Sequence, residues 1–275
     1  MIIFKLYLKT LHSISAIEKE LTSSGSRPVV VWCNDLNYYA CKYGRANDLF
    51  NEYIGASFCK IWGIPVPEFI FVNVKPEHIP TGLQKKSFEI PCYGCFYLEY
   101  AKDVNEYLTT WKTSGYELSK ITNKEDLLKI GLFDIWLSNE DRNHNNANLL
   151  INPTDQGYKI VAIDHVNIFN TSSLKHGIYQ INEFESIIST DYVKLLFKRG
   201  EKLNDLTNNL EKIFYVCVKK CKKKLDAILA DVPPDWNIDI ENTAILIKNQ
   251  LFSEEWIKQT IHSFRLFLET QLLKE

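Results

Sequence analysis

The sequence predicts an α+β protein with a β-rich front portion and a larger helical rear portion. Three observations predict it. Short apolar runs bounded by turn residues fall at 29–32, 38–42 and 69–74, the pattern of strands joined by tight connections. Another apolar pair at 149–151 and 160–163 brackets Asp155-Gln156-Gly157, the signature of a hairpin. Beyond residue 169, apolar residues recur at three- and four-residue spacing almost to the last residue, which is the helical period. The 275 residues suffice for one large domain or two lobes.

Taken in order, residues 2–8 alternate apolar and polar side chains as a half-buried strand does, and 13–21 read as a short helix or irregular structure. Thr22-Ser23-Ser24-Gly25-Ser26 then leads into the strand at 29–32, and Asn34-Asp35-Leu36-Asn37 turns it back into 38–42. Residues 47–62 read as a helix with Leu49, Phe50, Tyr53, Ile54, Phe58 and Ile61 on its apolar side. Pro65 and Pro67 force an extended exit into the strand at 69–74. The polar stretch 75–90 reads as loop and 95–100 as a strand. Leu132, Phe133, Ile135, Trp136 and Leu137 have helical spacing ahead of the run SNEDRNHNNAN. After the second hairpin, 181–198, 203–229 and 253–273 read as helices, with Pro233-Pro234 breaking the last two apart.

Composition removes several classes. A net charge of −2 argues against a general nucleic-acid binder. The first residues are too short and too interrupted by Lys for a signal peptide, and no apolar run reaches membrane-spanning length, so a cytoplasmic protein without membrane contact is expected. The seven cysteines are odd in number and mostly sit in apolar segments, as reduced buried thiols do. Cys92 and Cys95 form a CxxC, but no second CxxC accompanies it, and Cys217 and Cys221 have no nearby His. Lys219, Lys220, Lys222, Lys223 and Lys224 read as a solvated helix face rather than a site for RNA or an acidic partner.

The chemistry-bearing stretch is 133–169. Its hairpin brings the loop around Asp141 towards Asp164, and Asp141-x4-Asn146 has the spacing of a kinase catalytic loop. In such a loop the Asp accepts the proton of the attacking hydroxyl, while the Asn and a second Asp offer hard oxygen ligands to Mg²⁺. Asp141 is therefore the candidate base, Asn146 serves both the catalytic loop and the metal, and Asp164 is a further metal ligand. Asn148 is an alternative or second ligand, and Arg142 is a candidate for steering the loop by pairing with a carboxylate or phosphate. Upstream, Lys42 ends a strand where a lysine would reach the α- and β-phosphates of ATP, and Glu52 lies mid-helix where it could pair with Lys42. Asp and Asn are also ordinary turn residues, and lone Lys and Glu are ordinary surface charges. The order strand, lysine, helix, glutamate, Asp141 loop favours the kinase reading.

NEDRNHNNANLLI followed by IVAIDHVNIF resembles the HipA-like kinases, a bacterial branch of the protein-kinase-like superfamily, and more distantly the phosphoinositide-kinase type. SSGSRPVVVWCNDLNYYACK and NEYIGASFCKIWGIPVPEFIFV are similar to small-lobe segments of that family, so the resemblance spans roughly residues 22 to 170, with a weaker echo at Val232-Pro233-Pro234-Asp235-Trp236. His165 after Asp164 is a variant of the metal motif that this branch shows, whereas Asn143 stands after Arg142 where many relatives carry His, with His144 one residue later. The resemblance implies a two-lobed protein-kinase-like fold, an N-lobe over residues 1–97 and a C-lobe over 98–275. It implies ATP between the lobes, covered by Ser24, Gly25 and Ser26 and met at the adenine edge by Leu98, Glu99 and Tyr100.

The implied activity is ATP- and Mg²⁺-dependent phosphorylation of a protein Ser or Thr hydroxyl. The alternatives are a nucleotide- or partner-binding pseudokinase and a small-molecule or lipid kinase on the same fold. An unidentified protein substrate and a small antitoxin-like regulator are the implied partners. The family's regulatory serines imply autophosphorylation within 22–26, where a phosphate adds about 1.5 to 2 negative charges beside the ATP site.

Overall fold

The computed structural model describes residues 10–21, 27–197 and 203–273. The strand expected at 2–8, and Thr22, Ser23, Ser24, Gly25 and Ser26, lie outside the described residues. β1 (Thr10–His12), β2 (Lys19–Glu20), β3 (Val29–Trp32), β4 (Tyr38–Lys42), β5 (Phe69–Asn73) and β6 (Cys92–Phe96) form a six-stranded sheet of order β1-β5-β6-β4-β3-β2. Only the β1–β5 pair is parallel among these. Residues 13–21 do not form the helix allowed by the sequence, because Ser13 bridges Cys33 and β2 pairs with β3. The strand expected at 95–100 instead runs from Cys92 to Phe96. It ends because the chain turns, Ala101 N–H closing on the Leu98 carbonyl at 3.1 Å.

Helix α1 (Ala46–Trp62) crosses one face of this sheet and stops at Gly63, whose φ of +65° lets the amides of Gly63 and Ile64 reach the carbonyls of Lys60 and Cys59. From Leu49 to Cys59 every residue of α1 is buried, so the helix has no solvent face there. Tyr53 packs on Phe69 and Phe71 of the sheet, while Trp62 stacks on Trp136, Phe58 packs tilted against the same ring, and Trp62 meets Phe214. The main core therefore continues through α1 into the helical part. A smaller core, with Leu11, Val31, Cys41, Val74 and Phe88, covers the other side of the sheet.

The chain then passes to a three-stranded antiparallel sheet of β7 (Lys102–Asp103), β8 (Leu149–Thr154) and β9 (Gly157–Ala162). Between β7 and β8 lie α2 (Asn105–Thr113), α3 (Gly115–Ser119) and α4 (Glu125–Leu137). After β9 come the short segment α5 (Ile168–Ser172), which is a left-handed turn from Phe169 to Ser172 rather than a regular α-helix, then α6 (Asp191–Leu196), α7 (Leu203–Leu229), α8 (Ile240–Leu251) and α9 (Glu254–Leu268). The architecture is thus α+β, a smaller β-rich lobe against a larger helical one.

The helix expected across 181–198 is corrected to two single turns followed by α6. The side chains of Asn182 and Ser186 accept the amides of Phe184 and Ile188, local bonds that compete with a continuous helix. Ile181, Ile187 and Ile188 are buried all the same, so their spacing signalled burial rather than helix. α8, capped by the Asp239 side chain on the Asn242 amide, was not distinguished in the sequence.

Cys92 and Cys95 lie on opposite sides of β6, one in the smaller core and one against the main core. Burial pushes both thiols up to about 12, far from the thiolate a redox pair needs. The lysines at 219, 220, 222, 223 and 224 are exposed on α7, whose Cys217, Cys221 and Leu225 face inward. Among the described residues no helix is long and apolar enough to cross a membrane.

Gly55 of α1 permits the closest approach in the fold's centre. A Cβ there would sit 2.4 Å from His165 Cβ. Gly55→Ala is expected to destabilise the protein by about 1–3 kcal/mol through overpacking, read as a lower midpoint in denaturant unfolding.

Candidate active site

Lys42 is the last residue of β4, and Glu52 lies one and a half turns into α1. Lys42 Nζ approaches Glu52 Oε1 at 2.5 Å and Asp164 Oδ1 at 2.7 Å. Glu52 is 1% exposed, and its second oxygen accepts the backbone N–H of His165 at 3.1 Å. Burial opposes charge on both partners, yet Glu52 and Asp164 raise the Lys42 pKa above its ordinary value, and Lys42 and His165 hold Glu52 below the carboxylate range. Asp164 is shifted the other way: burial raises its pKa and the neighbouring Glu52 adds to this, against the pull of Lys42. Two carboxylates share one lysine, so the cluster is one cation short.

Asp164 follows β9 with φ +57°, a left-handed conformation that Asp tolerates better than most residues. His165 beside it is buried, its Nε2 3.3 Å from Cys59 Sγ and its ring edge-on to Phe133. Glu52, Gly55 and Cys59 are spaced three and four residues apart on α1, so one face of the helix receives the Asp164-His165 corner.

The Asp141 loop is fastened from below. Arg142 is 0% exposed; its Nε donates to Asp134 Oδ2 of α4 at 2.9 Å, and its Nη1 to the carbonyls of Asn148 and Ile163 at 2.5 and 3.0 Å. Asn139 Nδ2 donates to the other Asp134 oxygen at 2.9 Å. One guanidinium thus ties α4, the loop and the end of β9 together. Asp141 itself is only part-buried, and its Oδ2 accepts from Asn146 Nδ2 at 2.9 Å and Asn167 Nδ2 at 2.8 Å. Asn148, with φ +48°, donates its side-chain amide to the Asp141 carbonyl at 3.2 Å.

Lys42, Glu52 and Asp164 therefore meet in one cluster, and Asp141, Asn146 and Asn148 in another, the two joined where Ile163 N–H bonds the Asn148 carbonyl at 3.0 Å. Leu98, Glu99 and Tyr100 fall in the turn between the two sheets, Leu98 half-buried and the other two exposed. Ser24, Gly25 and Ser26 lie outside the described residues. The donor set suits a hard divalent ion: the cluster is short of positive charge, and the side-chain oxygens of Asn146 and Asn148 accept no hydrogen bond among the described residues. No group of three or more His, Cys, Asp or Glu side chains there forms a metal site alone, so substrate oxygens would complete the coordination.

Sequence reasoning missed four residues. Asp134 was hidden in an apolar helical run, although a lone acid among buried residues is itself a signal for a buried cation. Asn139 belongs to the same knot. Asn51 and Asn167 carried no signal, because their partners lie more than a hundred and more than twenty residues away. Removing either Asp134 or Arg142 leaves a buried charge unpaired, which costs about 3–5 kcal/mol. Asp134→Ala and Arg142→Ala should each lower the unfolding midpoint steeply, and the double variant should cost clearly less than their sum.

The family model that matches the chain, over residues 14–265, is described as HipA-like kinase. No curated protein sequence matches it. Among solved structures, the Helicobacter pylori proinflammatory kinase CtkA is similar at 14% identity, with 95% of this chain and 94% of that one covered and a TM-score of 0.49. A chain of the Shewanella oneidensis MR-1 toxin–antitoxin complex of HipA, HipB and operator DNA is similar at 11% identity. That match covers 95% of this chain and 65% of the other, with a TM-score of 0.41. The match along almost the whole sequence makes the α+β fold a two-lobed protein-kinase-like one, and the chain belongs to the HipA-like kinase family.

Proposed function

We propose that the protein is an ATP- and Mg²⁺-dependent kinase that phosphorylates a serine or threonine hydroxyl of a protein. The observation that carries this reading is the lysine held between Glu52 and Asp164 within one hairpin of the Asp141 loop. Lys42, pre-set by Glu52, binds the α- and β-phosphates. Asp141 orients the acceptor hydroxyl and takes its proton as the hydroxyl oxygen bonds to the γ-phosphorus and the bond to the β–γ bridging oxygen breaks, leaving ADP. Asp164 and Asn146, with Asn148 beside them, are the residues that would hold Mg²⁺. The bound ion neutralises phosphate charge and keeps the triphosphate in line.

The turn at 97–101 is the proposed lobe boundary, the N-lobe being 1–97 and the C-lobe 98–275. Backbone groups of Leu98, Glu99 and Tyr100 meet the adenine edge, and Ser24, Gly25 and Ser26 cover the phosphates. The same 22–26 loop is the proposed autophosphorylation site. A cavity of about 450 Å³ lies beside His144, lined also by Leu108, Phe184, Tyr192 and Lys194. A small antitoxin-like regulator is the proposed partner, as the resemblance to the HipA-like kinases implies. The proposed location is the cytoplasm, where ATP is abundant.

Asp141→Asn should leave nucleotide binding intact and lower transfer by about 10²–10⁴-fold, measured as ADP formation and label transfer. Asp164→Asn should instead raise the Mg²⁺ concentration needed for half-maximal ATP binding. Parent-like behaviour in both variants removes the assignment.

Lys42→Ala should weaken phosphate positioning, and Glu52→Ala should show a milder form of the same defect together with lower stability, because Lys42 retains Asp164. Nucleotide titration and turnover check both, and unchanged values in the two variants overturn the pairing.

A further inference from the structure

Asp141 Oδ2 accepts two amide N–H groups, and they come from different places. Asn146 belongs to the same loop, whereas Asn167 arrives from beyond the metal motif, three residues after Asp164. We propose that Asn167 is a positioning residue that fixes the Asp141 carboxylate for proton acceptance, and that Asn51 of α1 holds Asn167 in place. The proposal rests on the reading of Asp141 as the base.

Two donors on one oxygen fix the rotation of the carboxylate and leave Oδ1, which accepts no hydrogen bond among the described residues, for the acceptor hydroxyl. A plain structural use of Asn167 would be to cap the turn of α5, which it immediately precedes. Its side chain makes no capping bond there and spans 26 residues of sequence to Asp141 instead. The backbone on both sides of it is fastened: Asn51 Nδ2 donates to the Val166 carbonyl at 2.6 Å, to Ser172 Oγ at 3.1 Å and to the Ile168 carbonyl at 3.4 Å.

That support is needed because the following residues cannot hold the segment by themselves. Phe169, Asn170, Thr171 and Ser172 have φ between +45° and +73°, a left-handed turn that side-chain-bearing residues adopt only under external constraint. Thr171 Oγ1 donates to Glu140 Oε1 at 2.5 Å, and Asn170 N–H bonds the Ser138 carbonyl at 3.0 Å, so the turn is clamped to the loop that carries Asp141. Asn51 and Glu52 are neighbours on α1. One sets the segment that reaches the base, the other sets the phosphate lysine, so a single helix aligns both ends of the reaction.

The test uses the full chain with Mg²⁺-ATP, reading ADP formation with and without casein as acceptor, nucleotide affinity and the thermal midpoint. Asn167→Ala is expected to lower kcat about tenfold to hundredfold, the range that small misplacements of a reacting group cost, with KM for ATP and the midpoint unchanged. Asn167→Asp, similar in size but carrying a second carboxylate against Asp141, is expected to be worse than Asn167→Ala. Asn51→Ala is expected to lower kcat in the same direction without touching Asp141. Parent-like kcat in Asn167→Ala, or a kcat loss matched by equal losses of affinity and midpoint, overturns the proposal. Asp141→Asn run alongside separates the two readings: if it is inactive while Asn167→Ala is parent-like, only the positioning role falls. If Asp141→Asn keeps parent turnover, or the parent has none, the base assignment fails and the positioning role fails with it.

Discussion

Glu52 is a carboxylate inside a helix that has water on no side along most of its length. A buried anion in that position is tolerable only if each oxygen finds a donor, and the two donors come from opposite directions. Lys42 reaches it from the central sheet, and the backbone N–H of His165 reaches it from the end of the second hairpin. Satisfying one carboxylate therefore joins the sheet, the helix and the hairpin at one point. Gly55 on the same helix face is what allows the His165 corner to come close enough.

A second buried ion pair does the same for the helical lobe. Arg142 with Asp134 locks the loop to α4, and its Nη1 donates to the carbonyls just before β8 and just after β9. The planar fork of a guanidinium can serve a carboxylate and carbonyls at once, which a lysine could not do with the same geometry. The two pairs have different surroundings. Arg142 and Asp134 are sealed from solvent, whereas Lys42 and Asp164 keep 14% and 21% of their side-chain surface. The first pair is a fastening within the core, and the second keeps some contact with solvent.

Around these fixed charges the polar work is done by asparagine. Asn139, Asn146, Asn148, Asn51 and Asn167 each donate a side-chain N–H to a loop carbonyl or carboxylate. A neutral amide can hold a carboxylate without neutralising it, and it leaves its own oxygen for another partner. The cysteines, by contrast, are spent on packing: Cys41 and Cys92 fill the smaller core and Cys59, Cys217 and Cys221 the larger one.

The α+β class, the β3–β4 hairpin, helix α1 and the β8–β9 hairpin were legible in the residues, because each rests on local periodicity and turn chemistry. The candidate lysine, glutamate and aspartates were legible for a related reason, since their spacing along the chain is set by the elements that carry them. Family membership was legible from runs such as NEDRNHNNANLLI and IVAIDHVNIF. Other features depended on contacts between distant segments. Buried isoleucines at 181–188 imitate a helical period although capping side chains break the chain into turns there. Nothing in the neighbourhood of Asn51 or Asn167 reveals a partner, because hydrogen bonds across 115 and 26 residues of sequence form only once distant segments have packed together. Periodicity is a property of single elements, so the sequence by itself determined the strands and helices whose burial follows a regular period, such as α1, α4, α7 and the two hairpins. Which polar groups must be satisfied where those elements meet is a property of burial, and only the tertiary structure decided it.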